Sequence, residues 1–492
     1  MPLEDYDAIL LTGGRASRMG RPGKPGLAVG GRALAARVAA AVTVVSGLTS
    51  FALVLTVVPA AAHHNLSYLS YLRVDAVSAI FLLATGFLYG AVAVYAVGYL
   101  KGHHDRRFYA GLNLFAWAML AAPLMSSLAL LWIAVEITTI ISALLVAIED
   151  TDGAAEAAWK YVLIASAGLG LALLGTVFAY YAGAQVLGEH YNLAIQPLIA
   201  AGPHLPATPV RLAFLLALLG YGTKVGLFPV HTWLPDAHSE APTPVSALLS
   251  GSLLAVSFYA ILRFYQFTAA ALGSGFPRDA LLAFGVASLL LAALYVFGQR
   301  DVKRLLAYSS VEHMGILAIG VSFGAPVALA GVMLHVLAHA AAKGNAFMGA
   351  GVLVTKFGSK RISTIRGGLD LLPWSGPLFL LAVFALSAMP PSGIFRSEFQ
   401  IVYGGLGSGS YAAAAALIVL VTVAFFGLTA SATRMLFTPA PAQPVLTRSE
   451  PSAWMVVPVL AGVAVLFILG IHPPGELTGL IDRAVLQLGA AR

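Results

Sequence analysis

The 492-residue chain contains no cysteine, and only 10% of its residues are charged. The first absence excludes a disulfide framework, a thiolate nucleophile and cysteine-ligated zinc or iron–sulfur centres. The second lies far below the ~25% charge of soluble domains. With 59% hydrophobic residues, it excludes an ordinary soluble enzyme. The short alternating strands of a membrane barrel are lacking too. What the chain does have is apolar runs of about 20 residues, the length that crosses a bilayer as a helix. The expected class is an all-α polytopic membrane protein.

Thirteen apolar spans are expected, at 34–62, 76–100, 108–124, 126–148, 159–182, 208–235, 242–268, 278–298, 304–323, 325–354, 375–403, 410–437 and 452–471. The tail 473–492 reads as a short amphipathic, interfacial helix. An odd number of spans puts the termini on opposite sides, and Lys and Arg then set the orientation. Nineteen of the 28 Lys and Arg residues fall on the N-terminal side, among them Arg15, Lys101, Arg304 and Arg361, against five on the other side. The expected topology has the N-terminus in the cytoplasm of a cell inner-membrane protein. The net charge of +7 follows from this asymmetry and not from a nucleic-acid partner.

Residues 1–33 differ in kind. Ile9-Leu10-Leu11-Thr12-Gly13-Gly14-Arg15, followed by Arg18-Met19-Gly20 and Lys24-Pro25, reads as a strand entering a Gly-rich turn. The segment resembles the nucleotide-binding start of molybdenum-cofactor guanylyltransferases, whose loop wraps phosphates. That fold needs a full α/β domain, and apolar spans begin at once after residue 33. The expectation is a basic fragment without function of its own, followed by a membrane domain at 34–472.

Two spans carry prolines that a continuous helix would avoid. The first holds Lys224, Pro229, His231 and Pro235, and the second Pro390, Pro391 and Glu398. One interrupted helix in each half, each with an ionisable residue, points to a transport site between inverted repeats. Glu136 sits mid-span with no formal charge between Arg107 and Glu149. A carboxylate there costs at least ~2.5 kcal/mol, so it should face a partner or water. His335, His339 and Lys343 are spaced i, i+4, i+8, one polar stripe on a helix. Such a stripe suits protons. A metal on the two stripe histidines is set aside, because no glutamate follows as in HExxH and the lysine repels a cation. His313 is a further relay candidate, and Arg263, near a helix end, is expected to snorkel. Neither a cofactor nor a metal is expected.

The string Gly222-Thr223-Lys224-Val225-Gly226-Leu227-Phe228-Pro229-Val230-His231-Thr232-Trp233-Leu234-Pro235-Asp236-Ala237-His238-Ser239-Glu240-Ala241-Pro242-Thr243-Pro244-Val245-Ser246 strongly resembles the antiporter-like, proton-translocating subunits of complex I, Mrp-type Na⁺/H⁺ antiporters and membrane-bound nickel–iron hydrogenases. The similarity runs over about 34–480, through Ala307-Tyr308-Ser309-Ser310. Ala158-Trp159-Lys160-Tyr161 and Gly393-Ile394-Phe395-Arg396-Ser397-Glu398-Phe399 are most like the hydrogenase-4 component F type. The resemblance implies 14 helices, two inverted five-helix repeats and a polar axis, with the family's first helix absent here. It implies that Glu136 pairs with Lys224, that His335, His339 and Lys343 form the central relay, and that Glu398 exchanges protons with the outside. Ala255 stands where complex I members have Lys or His, so water, His231 or His313 must bridge the halves if the protein pumps.

The implied function is proton translocation in a hydrogenase-4-like or complex I-like redox-driven pump, without a catalytic site of its own. Its partners would be the other membrane and peripheral subunits. Alternatives from the same fold are a Na⁺/H⁺ antiporter subunit and a non-pumping membrane scaffold. Sodium wants convergent oxygens, whereas the stripe offers nitrogens.

Overall fold

The computed structural model describes residues 25–69, 71–100, 106–439 and 447–489. The guanylyltransferase-like motifs at 9–24 and Lys101 lie outside the described residues. The chain begins with α1 (Pro25–His63), the ribbon strands β1 (Leu66–Tyr68) and β2 (Leu72–Val74), α2 (Ala76–Tyr99), α3 (Arg106–Ala121) and α4 (Leu128–Val146). It continues through α5 (Asp152–Leu187), α6 (Ile195–Ala200), α7 (Ala207–Val225), α8 (Trp233–Glu240), α9 (Thr243–Leu248) and α10 (Leu254–Leu272). Then come α11 (Gly275–Tyr295), α12 (Val302–Phe323), α13 (Pro326–Phe357), α14 (Gly368–Leu371) and α15 (Ser375–Leu386). The chain closes with α16 (Gly393–Gly407), α17 (Tyr411–Phe437), α18 (Ala453–Ile471) and α19 (Gly475–Gln487).

Among the described residues, ten helices are long and apolar enough to cross a membrane, α9 and α10 counting as one run from Thr243 to Leu272. The other three expected spans are helical but short or interrupted. α3 has 16 residues, and the segments 208–235 and 375–403 are broken, as their prolines require. Helices at the centre and the periphery differ in burial. Thr243–Leu272 and Val302–Phe323 are almost wholly enclosed by protein, whereas α17 presents Ile418, Val419 and Phe426 outward. Outward apolar side chains are what a lipid-facing helix needs.

The two breaks are built differently. α7 stops where Gly226 takes the left-handed conformation (φ 81°) that glycine adopts without strain. The indole Nε1 of Trp233 then donates to the carbonyl of Thr223 at 2.7 Å, satisfying an acceptor that the helix end had freed. At the second break Ser392 caps α16, its hydroxyl accepting from the amide of Phe395 at 3.2 Å.

The tail helix α19 is not an isolated surface element. Its apolar residues Leu477, Leu480, Ile481, Ala484 and Val485 are buried. Gln487 accepts from the amide of Val77 at 3.3 Å, and its carbonyl accepts from Gln266 at 2.8 Å. An amphipathic helix needs a partner for its apolar face, and here the protein's own helices supply one.

Arg263 does not snorkel. Its guanidinium is buried and donates to Asp75 at 2.7 Å, Ser78 at 2.9 Å and Gln266 at 2.8 Å. Asp75 also caps α2 by accepting from the amide of Ser78 at 2.9 Å. Spacing along one helix could not reveal a partner 188 positions away. Removing one member of such a pair leaves an uncompensated buried charge, at about 3–5 kcal/mol. Arg263→Ala should therefore lower the thermal midpoint of the detergent-solubilised protein sharply. Asp75→Asn combined with Arg263→Met, which keeps the cap, should recover most of the loss. Equal losses in the single and double variants would refute the ion-pair account.

Candidate ion pathway

Tight helix crossings position the polar side chains. α5 and α7 meet backbone to backbone: a methyl group on Gly220 would come within 2.4 Å of the Ala172 nitrogen and 2.6 Å of the Gly168 carbonyl. Small residues allow this approach, and within a bilayer close packing is a main source of helix association. It brings Tyr161 of α5 against Lys224 of α7. Likewise a methyl on Gly331 of α13 would meet the carbonyl of Ser397 at 2.7 Å. That approach carries His335 to the α16 residues Ser397 and Glu398.

In the first half Lys224 is fully buried. Its ammonium donates to the hydroxyl of Thr139 at 2.8 Å and to the hydroxyl of Tyr161, and lies 4.7 Å from the Tyr161 ring centre. Tyr161 is in turn 2.8 Å from the Ser142 hydroxyl. Glu136 sits one turn before Thr139 on α4, half-buried, and accepts from Ser166 at 3.1 Å. The expected Glu136–Lys224 contact is thus not made. The two interact electrostatically, without direct contact, while hydroxyls fill the space around the lysine.

In the second half His313 Nδ1 is 3.1 Å from His335 Nε2 and 3.8 Å from Glu398 Oε1. The rings of His313 and His339 are 5.2 Å apart, and those of His335 and His339 stack at 6.2 Å. Lys343 donates to the Leu306 carbonyl at 2.9 Å. Both nitrogens of His339, His313 Nε2 and Glu398 Oε1 are buried without a hydrogen-bond partner in the protein. Buried polar atoms of this kind call for water or an ion. Glu398 also lines a cavity of about 550 Å³ between α16 and α17, shared with Ser387, Met389, Phe399 and Phe425. The residues that converge here are not the stripe pair His335 and His339 alone. Ligating atoms of His313, His335 and Glu398 lie within 4.8 Å of one another, brought together from three helices rather than along one.

His231 is buried with its ring against Phe228 (6.1 Å) and its Nδ1 unpartnered. Among the described residues, no hydrogen bond or ion pair joins it to either cluster. Ala255 is buried beside a five-residue wide turn, Leu249–Leu253. Here Ser250 meets Ser310 and Ser252 meets Thr85, both at 2.7 Å.

Four residues were not singled out from sequence: Thr139, Tyr161, His238 and Glu312. His238 lies between the halves, its Nδ1 2.8 Å from the Leu234 carbonyl and its Nε2 unpartnered. Its ring is 6.1 Å from Trp233 and 5.7 Å from Phe347 of α13. Glu312 is a buried carboxylate acting electrostatically on Lys343. The one available signal was charge within an apolar span, which Glu312 carries as plainly as Glu136 does.

The transmembrane profile of the NADH:quinone oxidoreductase/Mrp antiporter family matches residues 125–426. The chain belongs to this family. It is 36% identical over 366 residues to a hydrogenase-4 component F homolog of Methylacidiphilum infernorum, covering 72% of this chain and 76% of that one. It is 31% identical over 431 residues, 84% of each chain, to NADH-quinone oxidoreductase subunit N of Desulforudis audaxviator. Among solved structures it resembles a chain of the Mrp complex from Dietzia sp. DQ12-45-1b, with a TM-score of 0.81 at 20% identity, covering 94% of this chain and 96% of that one. A chain of respiratory complex I from Thermus thermophilus matches with a TM-score of 0.79 at 23% identity, over 92% and 95% of the two chains. The fold is therefore that of the antiporter-like subunits, and this family member is a multi-pass membrane protein.

Because the Lys224–Tyr161 bond depends on the α5–α7 crossing, Gly220→Ala should destabilise the protein by about 1–3 kcal/mol through overpacking. Gly170→Ala, on α5 with nothing within 4 Å of the added methyl, should be neutral or slightly stabilising. Thermal unfolding of the two variants side by side checks this, and equal behaviour would refute the crossing argument.

Proposed function

We propose that the chain is the proton-translocating membrane subunit of a hydrogenase-4-like or complex I-like redox-driven pump, working with other membrane and peripheral subunits. The observation that carries this reading is the pair of buried clusters beside the two broken helices, one at Lys224 and one at His313, His335, His339, Lys343 and Glu398. Both are rich in groups that give and take protons. Nitrogen ligands dominate, which favours the proton over sodium. The excess of Lys and Arg on one side supports a cytoplasmic N-terminus. Residues 34–472 would form the translocating unit and 473–492 its docked tail.

Lys224 has two alternative settings. In one, its ammonium rests on Thr139 and Tyr161. In the other it pairs with Glu136, one turn away on the same helix as Thr139. A partner subunit that draws Glu136 toward or away from Lys224 moves the lysine between the two. Without its counter-ion the buried ammonium is costly and gives up its proton. His238 and water then bridge to Lys343, in place of the residue missing at Ala255. From Lys343 the histidines pass the proton to Glu398, which faces the cavity.

Lys224→Ala or Glu136→Gln should abolish the pH gradient formed by the whole assembly in proteoliposomes, with electron transfer partly retained. Replacing Na⁺ with choline should leave the wild-type gradient intact. An unchanged gradient in Lys224→Ala would overturn the pumping role and leave a membrane scaffold. Tyr161→Phe removes a hydrogen bond to a charged group, about 1.5–3 kcal/mol. It should shift the lysine toward Glu136 by about 10–100-fold, slowing pumping without blocking assembly. Wild-type pumping rates in Tyr161→Phe would remove the hydroxyl from the pathway.

A further inference from the structure

We propose that His313 Nδ1, His335 Nε2 and Glu398 Oε1 form a binding site for a divalent cation of the zinc class, seated in the second cluster. The three atoms come from α12, α13 and α16 and lie within 4.8 Å of one another, with two separations of 3.1 and 3.8 Å. Ligands each about 2.0–2.1 Å from a tetrahedral zinc stand about 3.3–3.4 Å apart. With no pair of ligand atoms more than 4.8 Å apart, shifts of at most about 1.5 Å in these side chains bring all three to that spacing. Two imidazoles and one carboxylate with an open fourth position suit zinc, and are too rich in nitrogen for calcium or magnesium.

Hydrogen bonding presets one ligand. The hydroxyl of Ser397 donates its single proton to the Ile394 carbonyl at 2.7 Å. Its oxygen can then only accept from His335 Nδ1, 2.9 Å away. That fixes the proton of His335 on Nδ1 and leaves the lone pair of Nε2 facing His313. An outer hydrogen bond of this kind orients imidazoles in metal sites. Without the cation, His313 Nδ1 must donate to that lone pair. With it, the ion takes the place of the shared proton, which moves to the unpartnered His313 Nε2. Glu398 Oε1 is likewise unpartnered, and a cation compensates its burial. His339, with both nitrogens free of hydrogen bonds in the protein, stands beside the open position.

Entry is by way of Glu398, whose side chain is 9% exposed and lines the 550 Å³ cavity. The nearby positive charge of Lys343 opposes binding, but its ammonium is held at the Leu306 carbonyl and balanced by Glu312. The binding site rests on this geometry alone. Its consequence, a cation that occupies the same lone pairs as the transported proton and so blocks it, rests on the proposed pathway.

Zinc added to the purified whole assembly in nanodiscs tests the site directly, by metal content and by zinc K-edge X-ray absorption. Wild type should hold one zinc more per copy of this chain than assembled His335→Ala, His313→Asn or Glu398→Gln. Its absorption should report imidazole nitrogens and a carboxylate oxygen at about 2.0–2.1 Å. Ser397→Ala should weaken binding by about 10–100-fold. Equal zinc in wild type and every assembled variant, or a wild-type spectrum without imidazole, overturns the site. If no ligand variant assembles, the wild-type spectrum and Ser397→Ala decide. The pH gradient measured on the same samples separates the two ideas: zinc bound with the gradient unchanged keeps the site and removes these residues from the proton path.

Discussion

A polar group buried at bilayer depth must find its partner inside the protein, and for Lys224 and His335 that requirement is met by helices packed closely enough for side chains to bond across them. Gly220 lets α5 and α7 touch through their backbones, and Tyr161 thereby reaches Lys224. Gly331 lets α13 press on α16, and His335 thereby reaches Ser397. Without these approaches Lys224 would lose its bond to Tyr161, and His335 its bond to Ser397. The glycines that weaken a helix as an isolated segment are thus what make a charged interior affordable.

The fold was largely legible because its signals are local. Runs of apolar residues mark helices whatever surrounds them, and Pro229, Pro390 and Pro391 mark breaks because a proline cannot donate. Periodicity likewise placed His335, His339 and Lys343 on one face. What stayed hidden depended on which helices are neighbours. The convergence of His313 with Glu398 joins residues 85 positions apart in sequence, and the Asp75–Arg263 pair joins residues 188 apart. A single sequence carries no distance information of that kind. Tyr161 and Thr139 were hidden for another reason: a tyrosine or threonine in an apolar span costs little and raises no alarm, whereas a carboxylate does.

The missed Glu136–Lys224 contact shows how these limits interact. The family resemblance implies a direct pair between these two spans, but it carries no account of competing hydroxyls. In the structure two hydroxyls occupy the ammonium, and Ser166 occupies the carboxylate. The ammonium and one carboxylate oxygen therefore rest on neutral dipoles, while each counter-ion lies beyond direct contact. A tight ion pair in this environment would resist separation, since undoing it leaves the buried ammonium without its counter-ion. Hydroxyl partners lower that barrier by offering either ion an alternative.

The two lysines differ in just this respect. Lys224 rests on side-chain hydroxyls that can rotate, whereas Lys343 donates to the main-chain carbonyl of Leu306, which is fixed in α12. In the proposed mechanism, a rotatable shell suits a group whose counter-ion is exchanged by a neighbouring subunit. A fixed acceptor, in the same proposed mechanism, suits a group that holds its position while protons arrive from one side and leave by the histidines on the other. The same asymmetry runs on to the Glu398 end of the cluster. His335 has its tautomer set by Ser397, while His313 and His339 keep unpartnered nitrogens. His335 and His313 with settled tautomers beside His339, whose two nitrogens are both unpartnered, give the chain of imidazoles a preferred proton arrangement next to Glu398. Direction in this protein would then reside in hydrogen-bond geometry as much as in charge, because the histidine line presents different faces to Lys343 and to the cavity.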